Sequence, residues 1–366
     1  MIRYNLSFLS IVFLSLTALL IQYFFLNGFY DENNFLFSYY GDDYNYINNF
    51  KNLKYSDIKL SGLAKEGVIT PYNALLFFII NFGGIYFYFF VEFLLFVLSN
   101  YCFYKTSQTF LNIKYRNWAL IFYLILPLRY IWLFSFYKDS LILSLSIIFV
   151  YVFYFKKDKL LSLLTFPMLF LLRPIFSLIF LLGKLNFKYF FRFIYIFIPI
   201  FILSFYLLSD YLYFFRDERI LVVYEKLQEF PLNESGVLNP ILPFFLWIIT
   251  LIQPLYRSTD SLLIWSSINT VVKFDALIKL ALITPICHGL LFFRNHLKQP
   301  NFSIVFKLLC SLSLAILLGF LFLTNRHFII FLPWQILFAL YMINKNGFNL
   351  MYKTGFLILL IFIFLN

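Results

Sequence analysis

Runs of about 20 apolar residues, Leu6–Leu26 and Phe302–Leu323 among them, decide most of what this chain can fold into. Each is long enough to cross ~30 Å of hydrocarbon as a helix. The runs are apolar all round, without the alternation of apolar and polar residues that a membrane β-barrel strand needs. The chain is 62% hydrophobic and 13% charged, more apolar than the core of a soluble domain of 366 residues requires. The expected fold is therefore all-α, a polytopic helical membrane protein with about 9–11 transmembrane helices. It forms one integral membrane domain over 1–366. Spans are expected at 6–26, 85–104, 118–136, 140–155, 193–210, 276–293, 302–324, 328–343 and 354–366. The first run carries one Arg and no small-residue cleavage site, so it reads as a retained helix.

Charge gives the orientation. The formal net charge is +12, yet the cations gather in short loops. These are Lys105, Lys114 and Arg116; Lys156, Lys157 and Lys159; Lys184, Lys188 and Arg192; Arg294 and Lys298; Lys345 and Lys353. That is the positive-inside distribution, and it argues against a nucleic-acid partner. It puts the N-terminus inside and two longer loops, 27–70 and 211–240, outside. The three cysteines, Cys102, Cys287 and Cys310, lie in or beside apolar runs without CxxC spacing, so neither a metal site nor a disulfide framework is expected.

Some segments resist simple spanning. Pro71–Phe82 is too short and ends at Gly83-Gly84, and reads as an interfacial helix. Leu160–Gly183 is broken at Arg173-Pro174. The stretch from Pro240 to Tyr256 carries three prolines and reads as re-entrant or interfacial. Broken helices are tolerated in lipid where their freed backbone groups meet protein or a wet cavity.

The informative charges are those outside the inner loops. Loop 27–70 holds six of the 17 acidic residues, including the pair in Gly41-Asp42-Asp43-Tyr44-Asn45-Tyr46. Arg129 follows Pro127, and Lys138 and Asp139 occupy a tight turn. Arg173 precedes Pro174, Arg257 and Asp260 follow the proline-rich piece, and Arg326 and His327 separate two late spans. On the expected topology these acids and cations converge on the outer side. Arginine binds phosphate in bidentate fashion and stays charged, and a carboxylate of tuned pKa can accept a proton from an attacking hydroxyl. A plainer reading stands beside each. Asp42 and Asp43 are either catalysts or solvated loop carboxylates, and Lys138-Asp139 is either functional or a turn lying among headgroups. Glu92, inside the second span, is either a partnered core acid or a sign that the span is misdrawn. No P-loop, GxSxG elbow or HExxH helix occurs.

The order of these features resembles a known group. An acidic outer loop with Gly41-Asp42-Asp43-Tyr44-Asn45-Tyr46 is followed by Thr70-Pro71-Tyr72-Asn73, Gly83-Gly84, Tyr137-Lys138-Asp139-Ser140, Leu172-Arg173-Pro174, Asn325-Arg326-His327 and Pro333. The arrangement is similar to that of GT-C-like membrane glycosyltransferases, especially the Wzy-type polymerases of bacterial O-antigen and capsule. The resemblance implies an enzyme of the inner membrane with its active side in the periplasm. It would join undecaprenyl-diphosphate-linked oligosaccharide repeat units. The second, metal-binding acidic motif usual in such enzymes is not evident, although Asp139 stands near its place, and neither a cofactor nor a metal is expected. Asp42 or Asp43 would serve as the base. Arg173 and Arg326 would face the leaving diphosphate, with Arg129, Lys138, Asp139, Arg257 and His327 completing the substrate site. The lipid bilayer and a chain-length regulator are the implied partners. A transferase using a polyprenyl-phosphate-linked sugar and a flippase of lipid-linked glycans are the alternatives. A flippase should show inverted repeats, and none is visible.

Overall fold

The computed structural model describes residues 5–27, 71–126, 128–131, 133, 138–172, 177, 180–181, 183–184, 189, 196, 282–290, 299–317, 329–347, 349, 352–355 and 357. The fold is all-α, with no strand among the described residues. The chain divides into two compact units. One is Met1–Ser177 with Leu262–Ile278, and the other is Leu178–Ser261 with Lys279–Asn366.

In the first unit, α1 covers Phe8–Asn27. Helix α2 runs Pro71–Ser107 and is interrupted at Gly84, whose φ of 79° and ψ of 178° are not helical. Only glycine reaches that conformation cheaply, which is why the Gly83-Gly84 pair marks the expected end of the short Pro71–Phe82 segment. Helix α3 covers Ile113–Ile125 and begins at Asn112, whose side chain accepts the Tyr115 N–H as an N-cap. The short α4 follows at Leu128–Ile131. Helix α5 runs Lys138–Val150 and widens into a π-helical turn, Tyr151–Lys156. Helix α6 covers Lys159–Leu172 and is started by Asp158, whose Oδ1 accepts the Leu161 N–H at 3.1 Å.

The expected 118–136 span is corrected: it is not one helix. Pro127 pushes Leu126 into an extended conformation (φ −75°, ψ 112°) and ends α3 at Ile125. The carbonyls released by the break are met by side chains, since Gln22 Nε2 donates to Ile125 O at 2.9 Å and the Tyr130 hydroxyl donates to Leu124 O at 2.7 Å. Arg116 is likewise not a loop cation. It lies on α3, mostly buried, with its guanidinium over the Tyr104 ring.

Helix α2 is the centre of this unit, packing against α1, α3, α5 and α6. One stripe of it, Tyr86, Phe90, Leu94 and Leu98, is exposed, while Tyr88, Glu92, Phe96, Asn100 and Phe103 are buried. The spacing of three or four residues within each stripe is that of one helix face. The outward residues of α1 (Leu9, Phe13, Leu20, Phe24) and of α6 (Leu160, Leu163, Leu164) are also large and apolar. The outward faces are thus apolar like the interior, while serines, Asn100, Glu92 and Arg129 lie inside among buried Phe, Leu and Ile. Among the described residues, one helix, Tyr86–Ser107, is long and apolar enough to cross a membrane. Phe8–Phe24, Ser140–Lys156, Lys159–Leu172 and Pro300–Leu312 are shorter apolar helices.

In the second unit, α7 covers Pro300–Leu317 and α8 covers Leu332–Asn346, and the two pack together. Each has proline in its first turn, where the missing N–H costs nothing. Phe302 stacks on Tyr341 at 3.9 Å between ring centroids. Residues 282–290 are helical, and Gly289 lets this segment approach Phe338, which a Cβ would overlap.

Candidate functional site

The interior of the first unit carries the polar groups that the apolar exterior lacks. Their placement follows from α2, whose buried face presents Glu92, Phe96 and Asn100 at successive four-residue steps.

Glu92 is 1% exposed and accepts a hydrogen bond from the Ser140 hydroxyl. Of the two sequence readings, the partnered core acid is the one observed. Ser140 lies on α5, so the bond ties that helix to α2. The same helix begins with Lys138 and Asp139, which are its first two residues rather than a loop.

Arg129 meets α2 at Asn100, which stands two helical turns beyond Glu92, a rise of about 12 Å. From the sequence it belongs among charges at the outer face. In the structure it is 2% exposed. Its Nη2 donates to Asn100 Oδ1 at 2.5 Å, and Asn100 Nδ2 donates to Ser15 Oγ at 2.9 Å. Ser15 in turn donates to the Ile11 carbonyl at 2.7 Å. The guanidinium carbon is 3.7 Å from the Tyr123 ring centroid and 4.4 Å from that of Phe96, a cation–π arrangement on two rings. Nε and Nη1 have no hydrogen-bond partner, and neither does the Tyr123 hydroxyl. The break at Pro127 explains the inward position. By ending α3 early, it lets α4 fold back so that Tyr130 caps Leu124 and Arg129 meets α2.

At the Lys105 end of the unit, Tyr104 links three elements. Its hydroxyl accepts the Leu6 N–H at 3.0 Å and donates to Asn117 Oδ1 at 3.1 Å. Lys156 pairs with Asp158 at 3.1 Å. The Leu161 backbone N–H and the Lys156 ammonium hold the Asp158 carboxyl below the usual carboxylate range. In the second unit, His288 Nδ1 lies 2.7 Å from the Tyr352 hydroxyl, which also accepts from Asn346 at 3.2 Å.

Asp42, Asp43, Arg173, Arg257, Arg326 and His327 lie outside the described residues. Among the site residues expected from the sequence, the structure therefore speaks to Arg129 and to the start of α5 at Lys138-Asp139. Sequence reasoning missed Asn100, Ser15 and Tyr123 as partners of Arg129, and Ser140 as the partner of Glu92. The one available signal was the four-residue spacing of Glu92, Phe96 and Asn100 in an otherwise apolar run. No group of three or more His, Cys, Asp or Glu suited to a metal ion occurs among the described residues.

Comparison of the sequence with protein-family models and curated proteins, and of the fold with solved structures, finds no match.

Proposed function

We propose that this protein is a polytopic membrane enzyme of GT-C-like architecture. It joins undecaprenyl-diphosphate-linked glycan units on the outer face of a bacterial inner membrane. The membrane reading rests on the apolar exterior of the first unit and the polar groups buried within it. An apolar stripe at Tyr86, Phe90, Leu94 and Leu98, with similar faces on α1 and α6, surrounds an interior holding Glu92, Asn100 and Arg129. Water would penalise that surface, whereas lipid accepts it. A buried acid inside such a bundle points to function, because ionisable groups in lipid are expensive.

The glycan-transfer reading is carried by Glu92. Its pairing with Ser140 fastens a buried carboxylate to the turn that opens with Lys138 and Asp139, one of the segments on which the family resemblance rests. In the proposed reaction, an acceptor sugar hydroxyl attacks the anomeric carbon of a donor unit. Its proton passes to Asp42 or Asp43, and undecaprenyl diphosphate leaves toward Arg173 and Arg326. Such a reaction asks the protein for positioning and for stabilisation of charge on the leaving group. Lys138, Asp139, Arg257 and His327 complete the proposed substrate surface. Arg129 is enclosed in the interior and serves the bundle instead.

Deletion of the gene in its own host, followed by electrophoresis of the lipopolysaccharide, tests the reading. A core bearing a single repeat unit is the expected outcome. Loss of all O-antigen would point to a transferase or flippase, and an unchanged ladder would overturn glycan transfer altogether.

A further inference from the structure

Arg129 and Tyr123 leave hydrogen-bond donors unspent in the same place. The guanidinium has no partner for Nε or Nη1, and the phenol has none for its hydroxyl. Both side chains are buried, Tyr123 completely. The guanidinium carbon lies 3.7 Å from the Tyr123 ring centroid, close enough for one small acceptor to touch both residues. Nε and Nη1 alone carry three N–H hydrogens, none of which finds an oxygen.

Among the described residues the charge is as unbalanced as the hydrogen bonding. A guanidinium does not shed its proton in proteins, so Arg129 has no route to neutrality by itself. Asn100 offers a neutral amide oxygen, and Phe96 and Tyr123 offer ring faces. No carboxylate makes an ion pair with Arg129 among the described residues, and Glu92, two helical turns along α2 from Asn100, is bonded to Ser140. A buried charge without a counter-charge is strongly destabilising, the more so in an apolar-walled bundle. A water molecule would satisfy donors and leave the charge. A bulky phosphate ester does not suit a site closed by Phe96, Tyr123 and Tyr130, each at most 1% exposed. We propose that Arg129 and Tyr123 together hold a bare monovalent anion of the halide class inside the first unit, as a bound ion that completes the fold. The inference does not rest on glycan transfer and stands or falls separately from it.

The test uses the full chain purified in detergent, with thermal unfolding followed by tryptophan fluorescence. Sodium chloride is titrated against sodium gluconate at constant ionic strength. The expected result is a midpoint that rises saturably with chloride, as ligand binding to the folded state requires. Bromide should substitute for chloride, and gluconate and sulfate should not. Tyr123→Phe keeps the ring under the guanidinium and removes only the hydroxyl, and it should raise the half-saturating chloride concentration several-fold. Arg129→Gln should abolish the dependence. Equal midpoints in chloride and gluconate would overturn the proposal, as would a chloride response unchanged by Tyr123→Phe. Should Arg129→Gln fail to accumulate, the Tyr123→Phe titration still decides.

Discussion

The Ser140 hydroxyl donates to the Glu92 carboxylate, which joins the first turn of α5 to the buried face of α2. Both groups are within the bundle, so neither can fall back on bulk water. Ser140→Ala should therefore destabilise the protein by about 1.5–3 kcal/mol, the range for a hydrogen bond to a charged group. Glu92→Gln should cost less, because the amide oxygen still accepts. A double-mutant cycle read by denaturant unfolding in mixed micelles should give a coupling energy of at least ~0.5 kcal/mol. Strict additivity would mean that the two residues do not act as a pair.

Asn100 stands between Ser15 and Arg129, donating to one and accepting from the other. Asn100→Leu removes the acceptor that Arg129 Nη2 uses and the donor that faces Ser15. The expected loss is about 2–3 kcal/mol, dominated by the bond to the guanidinium. Asn100→Asp keeps an oxygen toward Arg129 and adds a counter-charge, so it should recover most of that stability. Thermal midpoints of the two variants in one detergent make the comparison. Equal loss in both would show that the volume at this position matters and the Arg129 contact does not.

How much of this was legible beforehand depends on the kind of signal. A break written in backbone chemistry was readable: Gly83-Gly84 interrupts α2 at Gly84. Pro127 carried the same information, but the apolar run around it reads as one span. The helix ends there because a proline constrains its predecessor whatever the hydropathy. Pairings across the bundle were not readable. Nothing local joins Glu92 to Ser140 or Asn100 to Ser15, since these contacts come from helix packing and not from sequence spacing. For the same reason Arg129, an outer charge on paper, is an interior one in the fold. Its neighbours are set by α4 folding back, which no periodicity records.

Asp158 gives a pH dependence with a definite sign. The Leu161 N–H and the Lys156 ammonium both favour its ionised form and lower its folded-state pKa. A depressed carboxyl stabilises the folded state above its unfolded pKa, and the contribution is lost as pH falls through the folded value. The Asp158 cap should thus be fully effective at neutral pH and fail only below the ordinary carboxylate range. Asp158→Asn keeps a capping oxygen and removes the titration. Plotted against pH, the difference in thermal midpoint between wild type and this variant should be flat near neutrality and shrink in acid. A constant difference down to the most acidic pH measured would exclude the ion pair as its source.

Leu94 separates a lipid-facing stripe from a water-facing one, because the two solvents give opposite signs to the same substitution. It lies on α2 between Phe90 and Leu98, half exposed, on the side away from Glu92 and Asn100. On a soluble surface Leu94→Arg would be near neutral, within about 0.5 kcal/mol, and would improve solubility. In a bilayer the same change places a guanidinium near the middle of the Tyr86–Ser107 helix, at about 2.5–3.5 kcal/mol on insertion scales. Membrane-integrated yield after carbonate extraction should then fall sharply for Leu94→Arg and remain near wild type for Leu94→Phe. Leu98→Lys, nearer the Lys105 end, should be milder, since a long amine can reach the interface from there. A gradient of cost falling from Leu94 toward Lys105 is what a membrane imposes. Uniform tolerance along the stripe would put this face in water and remove the physical basis for a membrane enzyme.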